Sequence, residues 1–394
     1  MQLRWIRWLS LFLAGVVLAG CSTINSVGDK VGGWIGDDDP DAPASLEDIV
    51  EKVNPKISWN KSMGSGTDGL WVDLKHKISG EMVYAASVDG TVSAVKLSSG
   101  STVWERELDE VVMTGVATGE GNVYVGTESG NLVALDRIGG QDRWSISLLS
   151  EILSPPAVAA GVVVVRTVDG KLVGVNAEDG LEIWRYQREV PVLTLRGTSS
   201  PVIVGDIVYA GLDGGEVVAL GLQDGRELWV KSVTSPRGRT EIERMVDIDA
   251  DPAVADGVVY VISYQGDLAA INGEQGDLVW KRKLSGVTAP TVYGPYLFLS
   301  DAEGNVWAFD RKDGSALWKQ DGLKNRNLTS PLVSGTNLVV GDAEGYLHWI
   351  SGEDGHFAGR VKTDSDGVSA TPLPFRNQVI SYGNGGKLSA VTQD

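Results

Sequence analysis

Trp104, Trp144, Trp184, Trp229, Trp280 and Trp318 each follow a glycine by four residues: Gly100, Gly140, Gly180, Gly225, Gly276 and Gly314. So bulky a residue at so regular an interval marks copies of one small unit. The stretch from Ser154 to Trp184 displays it: a small residue and Pro, Gly161, an apolar run, the turn Asp169-Gly170, a second apolar run, the turn Asp179-Gly180 and Trp184. A second marker counts the copies independently. The residue four positions after the central turn glycine is Ala94, Ala134, Gly174, Ala219, Ala270, Ala308, Trp349 and Ala390, at gaps of 40, 40, 45, 51, 38, 41 and 41 residues. Eight copies of about forty residues, each made of four short strands, predict an all-β chain: an eight-bladed β-propeller of four-stranded antiparallel blades. A sheet this small cannot bury its own faces but can bury them against its neighbours. Asp-Gly turns supply the φ > 0 that tight hairpins need, and the recurring tryptophan is of a size to seal the joint between blades.

The two chain ends fit together. Lys56-Ile57-Ser58-Trp59-Asn60 reads as the fourth strand of a blade that lacks its first three, and Thr371 to Val391 supply three strands and no fourth. A composite last blade closes the ring and removes two open sheet edges. Trp59 thereby joins Trp104, Trp144, Trp184, Trp229, Trp280 and Trp318 as a blade-joint tryptophan. The seventh copy departs from the pattern, with Gly359 in the tryptophan position and Phe357 two residues earlier. Either Phe357 fills that joint or the blade packs differently, and the pattern alone does not choose.

Residues 1–20 stand apart from this fold. Arg4 and Arg7 precede the apolar run Leu9–Leu18, the pattern of a secretory signal too short for a comfortable membrane span. Leu18-Ala19-Gly20-Cys21, followed by Ser22, resembles the lipobox of bacterial lipoproteins. That resemblance implies a lipid on Cys21, which becomes the mature N-terminus, and an outer-membrane destination. With Cys21 the only cysteine, no disulfide forms within the chain. Two or more acyl chains anchor a protein stably, one only marginally.

Residues 21–53 read as a tether, with Asp37-Asp38-Asp39-Pro40-Asp41 as its densest charge, and the propeller as 54–394. Trp34-Ile35 is an apolar island suited to lipid contact or to simple exposure. Ser45 to Val53 reads as one or two helical turns, capped by Ser45 with Asp48 facing back. The formal charge is −18, and loss of Arg4 and Arg7 takes it to −20. Such a body is a poor partner for nucleic acid or an anionic lipid surface.

Catalysis needs converging titratable or metal-binding groups. His76, His348 and His356 show no zinc-site spacing, there is no G-x-S-x-G elbow, and the Asp-Gly pairs lack the alternating ligands of a calcium loop. The sequence offers no catalytic residues, metal or cofactor. The connections between blades carry more. From tryptophan to the next proline the distance is 10 residues for Trp280–Pro290, 11 for Trp144–Pro155 and 13 for Trp318–Pro331, but 17 for Trp184–Pro201 and 23 for Trp229–Pro252. The long pair flanks one blade, and extra length on one face of a repeat protein marks a binding face. Leu193-Thr194-Leu195-Arg196-Gly197 sets apolar side chains beside an arginine, as an interface anchor does. Glu241 to Asp249 offers carboxylates to a basic partner or to Arg196. The plainer alternative folds Leu193 and Leu195 back onto the propeller.

Taken together, the lipobox, the tryptophan-ended blades, Leu193-Thr194-Leu195-Arg196-Gly197 and Thr240 to Asp249 resemble the BamB family, propeller lipoproteins of the bacterial outer-membrane β-barrel assembly machinery. The resemblance covers essentially the whole chain. It implies a non-enzymatic accessory subunit, lipid-anchored at the periplasmic face of the outer membrane, that binds the POTRA domains of the central barrel subunit. In the family such contact is attributed to residues that fall here on Leu193, Leu195, Arg196, Asp247 and Asp249. Unfolded outer-membrane proteins are a further expected partner, and exposed blade edges could pair with their strands. The rival class is a periplasmic quinoprotein dehydrogenase. It shares the tryptophan-containing blade but needs a pyrroloquinoline quinone pocket, a calcium site at the hub and, in many cases, an adjacent-cysteine disulfide.

Overall fold

The middle strands of each repeat are apolar without alternation because both of their faces are covered. In the copy beginning at Ala157, Val162–Arg166 is buried throughout, and the central residues of Lys171–Asn176 are buried too. Its fourth strand, Glu182–Gln187, buries only Trp184 and leaves most of its other side chains to solvent. Described here from a computed structural model at residues 41–188, 199–236, 239–240 and 242–393, the chain builds eight four-stranded antiparallel sheets. Seven are contiguous, at 77–107, 117–147, 157–187, 202–232, 253–283, 291–320 and 332–362; they are numbered as blades one to seven. The eighth takes Leu373–Phe375, Gln378–Tyr382 and Lys387–Gln393 from one end of the chain and Pro55–Ser62 from the other.

That pairing closes the ring as the two half-blades require, with Trp59 opposite Ala390. Apolar clusters fill the joints. Val162, Val164 and Leu172 of blade three meet Val208, Ala210 and Val218 of blade four, and Val83 and Val95 of blade one meet Ile380 and Leu388 of blade eight. First strands of successive blades approach one another and so line the hub. The fourth strands form the rim.

Each joint tryptophan is placed by three features. A β-bulge interrupts the third and fourth strands beside it, as between Ala94 and Val95 opposite Trp104. Its Nε1 donates to a carbonyl just past the third strand of the next blade: Trp59 to Leu97 at 2.9 Å, Trp104 to Arg137 at 3.0 Å, Trp144 to Ala177 at 3.1 Å and Trp184 to Leu222 at 2.8 Å. Trp229 reaches Gly273 at 2.8 Å, Trp280 reaches Arg311 at 2.9 Å and Trp318 reaches Gly352 at 3.1 Å. Finally, the indole lies on the turn glycine of that next blade. At Gly140 a Cβ would stand 2.6 Å from the ring of Trp104, and φ is +73°, so both space and backbone demand glycine. Covering one indole removes on the order of 200 Å² of largely apolar surface, about 5 kcal/mol.

The joint between blades seven and eight is built differently, which resolves the question left by Gly359. A fourth-strand tryptophan needs the turn between the third and fourth strands of the following blade. Blade eight has no such turn, because the two chain ends meet there. The large and small partners are exchanged across the strands: Trp349 sits on the third and pairs with Gly359 on the fourth. Trp349 is fully buried and its Nε1 donates to Gln393 Oε1 at 2.7 Å. Over Gly359, where a Cβ would lie 2.6 Å from the Val53 carbonyl oxygen, runs the chain leading into Pro55. Phe357 packs instead into the cluster between blades six and seven.

The helical turn expected over Ser45–Val53 is absent; the segment is not helical. Ala44 N–H donates to Lys324 O at 2.9 Å, and the Ala44 carbonyl accepts from Arg326 Nη1 at 2.8 Å. Lys52 and Val53 N–H both donate to Ala358 O, at 2.7 and 2.9 Å. An isolated helix of two turns is marginal, whereas a sheet edge offers backbone partners at once. Leu46 and Val53 add apolar contacts on either side of blade seven. This strap belongs to the compact unit Pro43–Asp394; of the other unit, Met1–Ala42, only Asp41 and Ala42 are among the described residues.

Candidate docking face

In a blade of four antiparallel strands, the connection from one fourth strand to the next first strand lies on the same side as the turn between strands two and three. Backbone hydrogen bonds tie the two together: Leu148 N–H to Gly130 O at 2.8 Å, Val233 N–H to Gly215 O at 2.8 Å and Thr363 N–H to Gly345 O at 2.8 Å. All connections therefore gather on one face of the ring.

Leu193, Leu195 and Arg196, expected in the connection between blades three and four, lie outside the described residues, as does Cys21. Asp247 and Asp249, in the connection between blades four and five, are both buried, at 1% and 8% exposure. Asp247 Oδ1 accepts the Gly214 N–H at 2.7 Å, and its carbonyl accepts Tyr264 N–H at 2.9 Å. Between the two aspartates Ile248 is fully buried over Gly211, where a Cβ would stand 2.4 Å from its side chain. Both aspartates therefore lie within the connection, and Asp247 helps to shape it. Upstream, Thr240 and Glu243 form a reciprocal cap on the short 3₁₀ turn Ile242–Arg244: Glu243 N–H donates to Thr240 Oγ1, and Glu243 Oε2 accepts from Thr240 N–H, both at 3.2 Å. Ile242 is left 63% exposed.

Below the connection a buried ion pair joins Arg166 to Asp213 at 2.7 Å, with 5% and 9% side-chain exposure. Burial pushes the Asp213 carboxyl above its usual range and the charge of Asp247 adds to that, against the pull of Arg166. Arg188 pairs with Glu216 at 2.6 Å. Charge is thus compensated locally in these two pairs between blades three and four.

The residues that sequence reasoning missed sit where these connections end. Asp251 Oδ1 accepts the Ser200 N–H at 2.6 Å, joining the last residues before blades four and five. Lys75, just before blade one, donates to Asp251 Oδ2 at 2.8 Å and Ser200 Oγ at 3.4 Å, and pairs with Asp73 at 2.7 Å. Blades one and five are opposite in an eight-part ring, so Lys75 spans the hub. Its burial opposes the charged form, yet the carboxylates of Asp251 and Asp73 together hold its ammonium above the usual value. The only linear hint was a polar residue ahead of each first-strand proline, Ser200-Pro201 and Asp251-Pro252.

Two of the three histidines, His76 and His348, are buried. The Nε2–H of His76 donates to Ile380 O at 3.1 Å, and desolvation lowers the pKa of this ring to about 4. His348 Nε2 meets Asp342 Oδ2 at 2.8 Å while Arg360 Nε donates to its Nδ1 at 3.3 Å, which assigns the proton to Nε2. Asp342 also pairs with the buried Arg326 at 2.7 Å, the residue that holds Ala44.

The fold and this face define the class: an eight-bladed β-propeller whose connections gather on one side and are tied across the hub. The chain belongs to the BamB family of outer membrane protein assembly factors. A family model described as outer membrane protein assembly factor BamB matches residues 88–320. The outer membrane protein assembly factor BamB of Pseudomonas aeruginosa is 47% identical over 350 residues, covering 89% of this chain and 92% of that protein. The crystal structure of BamB from Moraxella catarrhalis superposes with a TM-score of 0.79 at 28% identity, over 86% of this chain and 99% of that one. A quinohemoprotein alcohol dehydrogenase from Comamonas testosteroni shares the fold alone: TM-score 0.68, 14% identity, 89% of this chain and 78% of that one. The protein is accordingly a non-enzymatic scaffold of outer-membrane protein assembly, lipid-anchored at the periplasmic face of the outer membrane.

Proposed function

We propose that this chain docks through its connection face on the POTRA domains of the central barrel-forming subunit, and so assists the delivery and insertion of β-barrel proteins. Leu193 and Leu195 are the apolar anchors and Arg196 the flanking charge; Asp247 and Asp249 hold the neighbouring connection in shape. The observation that carries this reading is the junction of Ser200 with Asp251 at 2.6 Å, which ties the two longest connections of a BamB-family ring to one another. A surface ordered before binding loses little entropy on binding, and charges at its edge fix register more than they add affinity. Residues 1–20 are the export signal, Cys21 carries the lipid, and 21–53 lead to the ring at 54–394. Unfolded outer-membrane proteins are a second class of ligand, met through the exposed rim.

Co-purification from outer membranes in mild detergent tests the docking. Leu193→Ser with Leu195→Ser should lose the barrel subunit while circular dichroism stays unchanged. Wild-type recovery of the barrel subunit by that variant would overturn the assignment of the anchors.

A further inference from the structure

Trp71 is 95% exposed, in a segment that buries Met63 and Leu74 to 2%. The chain here is not loose. Thr67 N–H donates to Asn384 O at 2.9 Å and Leu70 N–H to Thr67 O at 2.8 Å. On the other side Asp73 O and Lys75 O accept from Gly115 and Val116 N–H, both at 2.9 Å. The indole is therefore presented on backbone fixed before and after it, beside Leu70, itself 47% exposed. A lone exposed aliphatic is ordinary, but an uncovered indole leaves on the order of 200 Å² in water, and buried tryptophans dominate protein interfaces.

Place decides what covers it. Trp71 belongs to the connection between blades eight and one, on the face that carries the two long connections. Four residues, at most about 14 Å of chain, separate it from Lys75, whose ammonium holds both Asp251 and Ser200. We propose that Trp71 is a further anchor of the docking interface, seated in an apolar pocket of the partner protein, and that Lys75 is a positioning residue holding this anchor in register with the long connections. This rests on the docking reading above. Charge favours a protein with a basic-rimmed pocket over a lipid surface: Asp68 stands exposed three residues away and the chain carries −18 overall.

Affinity of the full-length lipoprotein for the purified barrel subunit, titrated in mild detergent, tests this. Trp71→Ala should weaken binding tenfold or more with an unchanged thermal midpoint, and Trp71→Phe should recover part of the loss. Lys75→Met should weaken binding severalfold, and Lys75→Arg should restore most of it. Failure of the wild type to bind sinks the docking reading and this proposal with it. Wild-type binding that Leu193→Ser with Leu195→Ser abolishes, while Trp71→Ala stays within twofold, overturns the anchor alone. So does a Trp71→Ala protein that keeps its partner affinity but loses binding to vesicles of phosphatidylethanolamine and phosphatidylglycerol. Lys75→Met with a lowered thermal midpoint but wild-type affinity limits Lys75 to bracing the hub and overturns its positioning role.

Discussion

Seven joints of the ring and the eighth solve one problem with the same residue placed on different strands. Where the next blade offers a turn, a fourth-strand tryptophan lies on that turn's glycine and donates to a backbone carbonyl, as Trp184 does on Gly225 and at Leu222 O. Where the chain ends meet and no turn exists, Trp349 fills the joint from the third strand, Gly359 opens the space opposite, and the strap at Val53 closes it. The difference teaches that the repeat is not a property of each blade. It is a property of each pair, and the seam falls where one member of the pair lacks its hairpin.

Removing an ordinary joint should cost most. Trp184→Ala empties a site that is 7% exposed and leaves the Leu222 carbonyl without its donor; a loss of about 3–5 kcal/mol is expected, read from denaturant unfolding. A loss below about 1 kcal/mol would show that neighbouring side chains collapse into the gap and that the tryptophan is not the seal.

The seam gives a sharper test. Trp349→Ala should destabilise to a similar extent, and adding Gly359→Trp, which restores the order of strands used elsewhere, should not rescue it. An indole at position 359 has no turn glycine to lie on and meets the Val53 carbonyl. Recovery of the double variant to within about 1 kcal/mol of wild type would refute the dependence on the neighbouring hairpin.

The same contrast sorts what was legible beforehand. Blades, turns and the composite closure depend on local periodicity, so Trp59 and the strands near Tyr382 could be matched across the whole chain. Trp349 stood in a small-residue slot and Gly359 in a tryptophan slot, visible as two oddities, but their exchange makes sense only once the missing turn of blade eight is in place. Lys75 and Asp251 are 176 positions apart and meet only because the ring brings opposite blades to one hub. That Asp247 and Asp249 lie buried, with Asp247 accepting the Gly214 N–H, was not legible beforehand, because composition cannot distinguish an acid that faces a partner from one that holds a backbone N–H. Ser45 with Asp48 has the form of a helix cap, and the open edge beside blade seven outcompetes it.

The closure between blades eight and one, opposite the seam across blade eight, should respond to acid. His76 packs there against Tyr382 and is neutral when folded, with a pKa near 4 against about 6.5 for an unfolded histidine. Above pH 6.5 it contributes nothing to pH dependence. As pH falls toward 4 the unfolded chain takes up a proton that the folded chain refuses, so stability declines by up to about 3 kcal/mol. Urea midpoints between pH 6.5 and 5 should fall for wild type and stay flatter for His76→Gln, since most carboxylates titrate lower. Parallel curves for the two proteins would remove His76 from the account.

The smallest effect belongs to the strap. Leu46 is half-buried between blades six and seven, and its segment is otherwise held through backbone groups that a side-chain change leaves in place. Leu46→Ala should therefore lower stability by only about 1 kcal/mol, well short of Trp184→Ala, while speeding proteolysis at 41–53 because the strap lifts before the ring opens. If instead Leu46→Ala matched the loss at Trp184, the strap would be a structural equal of the tryptophan joints, and the seam would be held as much by the segment outside the blades as by Trp349 within them.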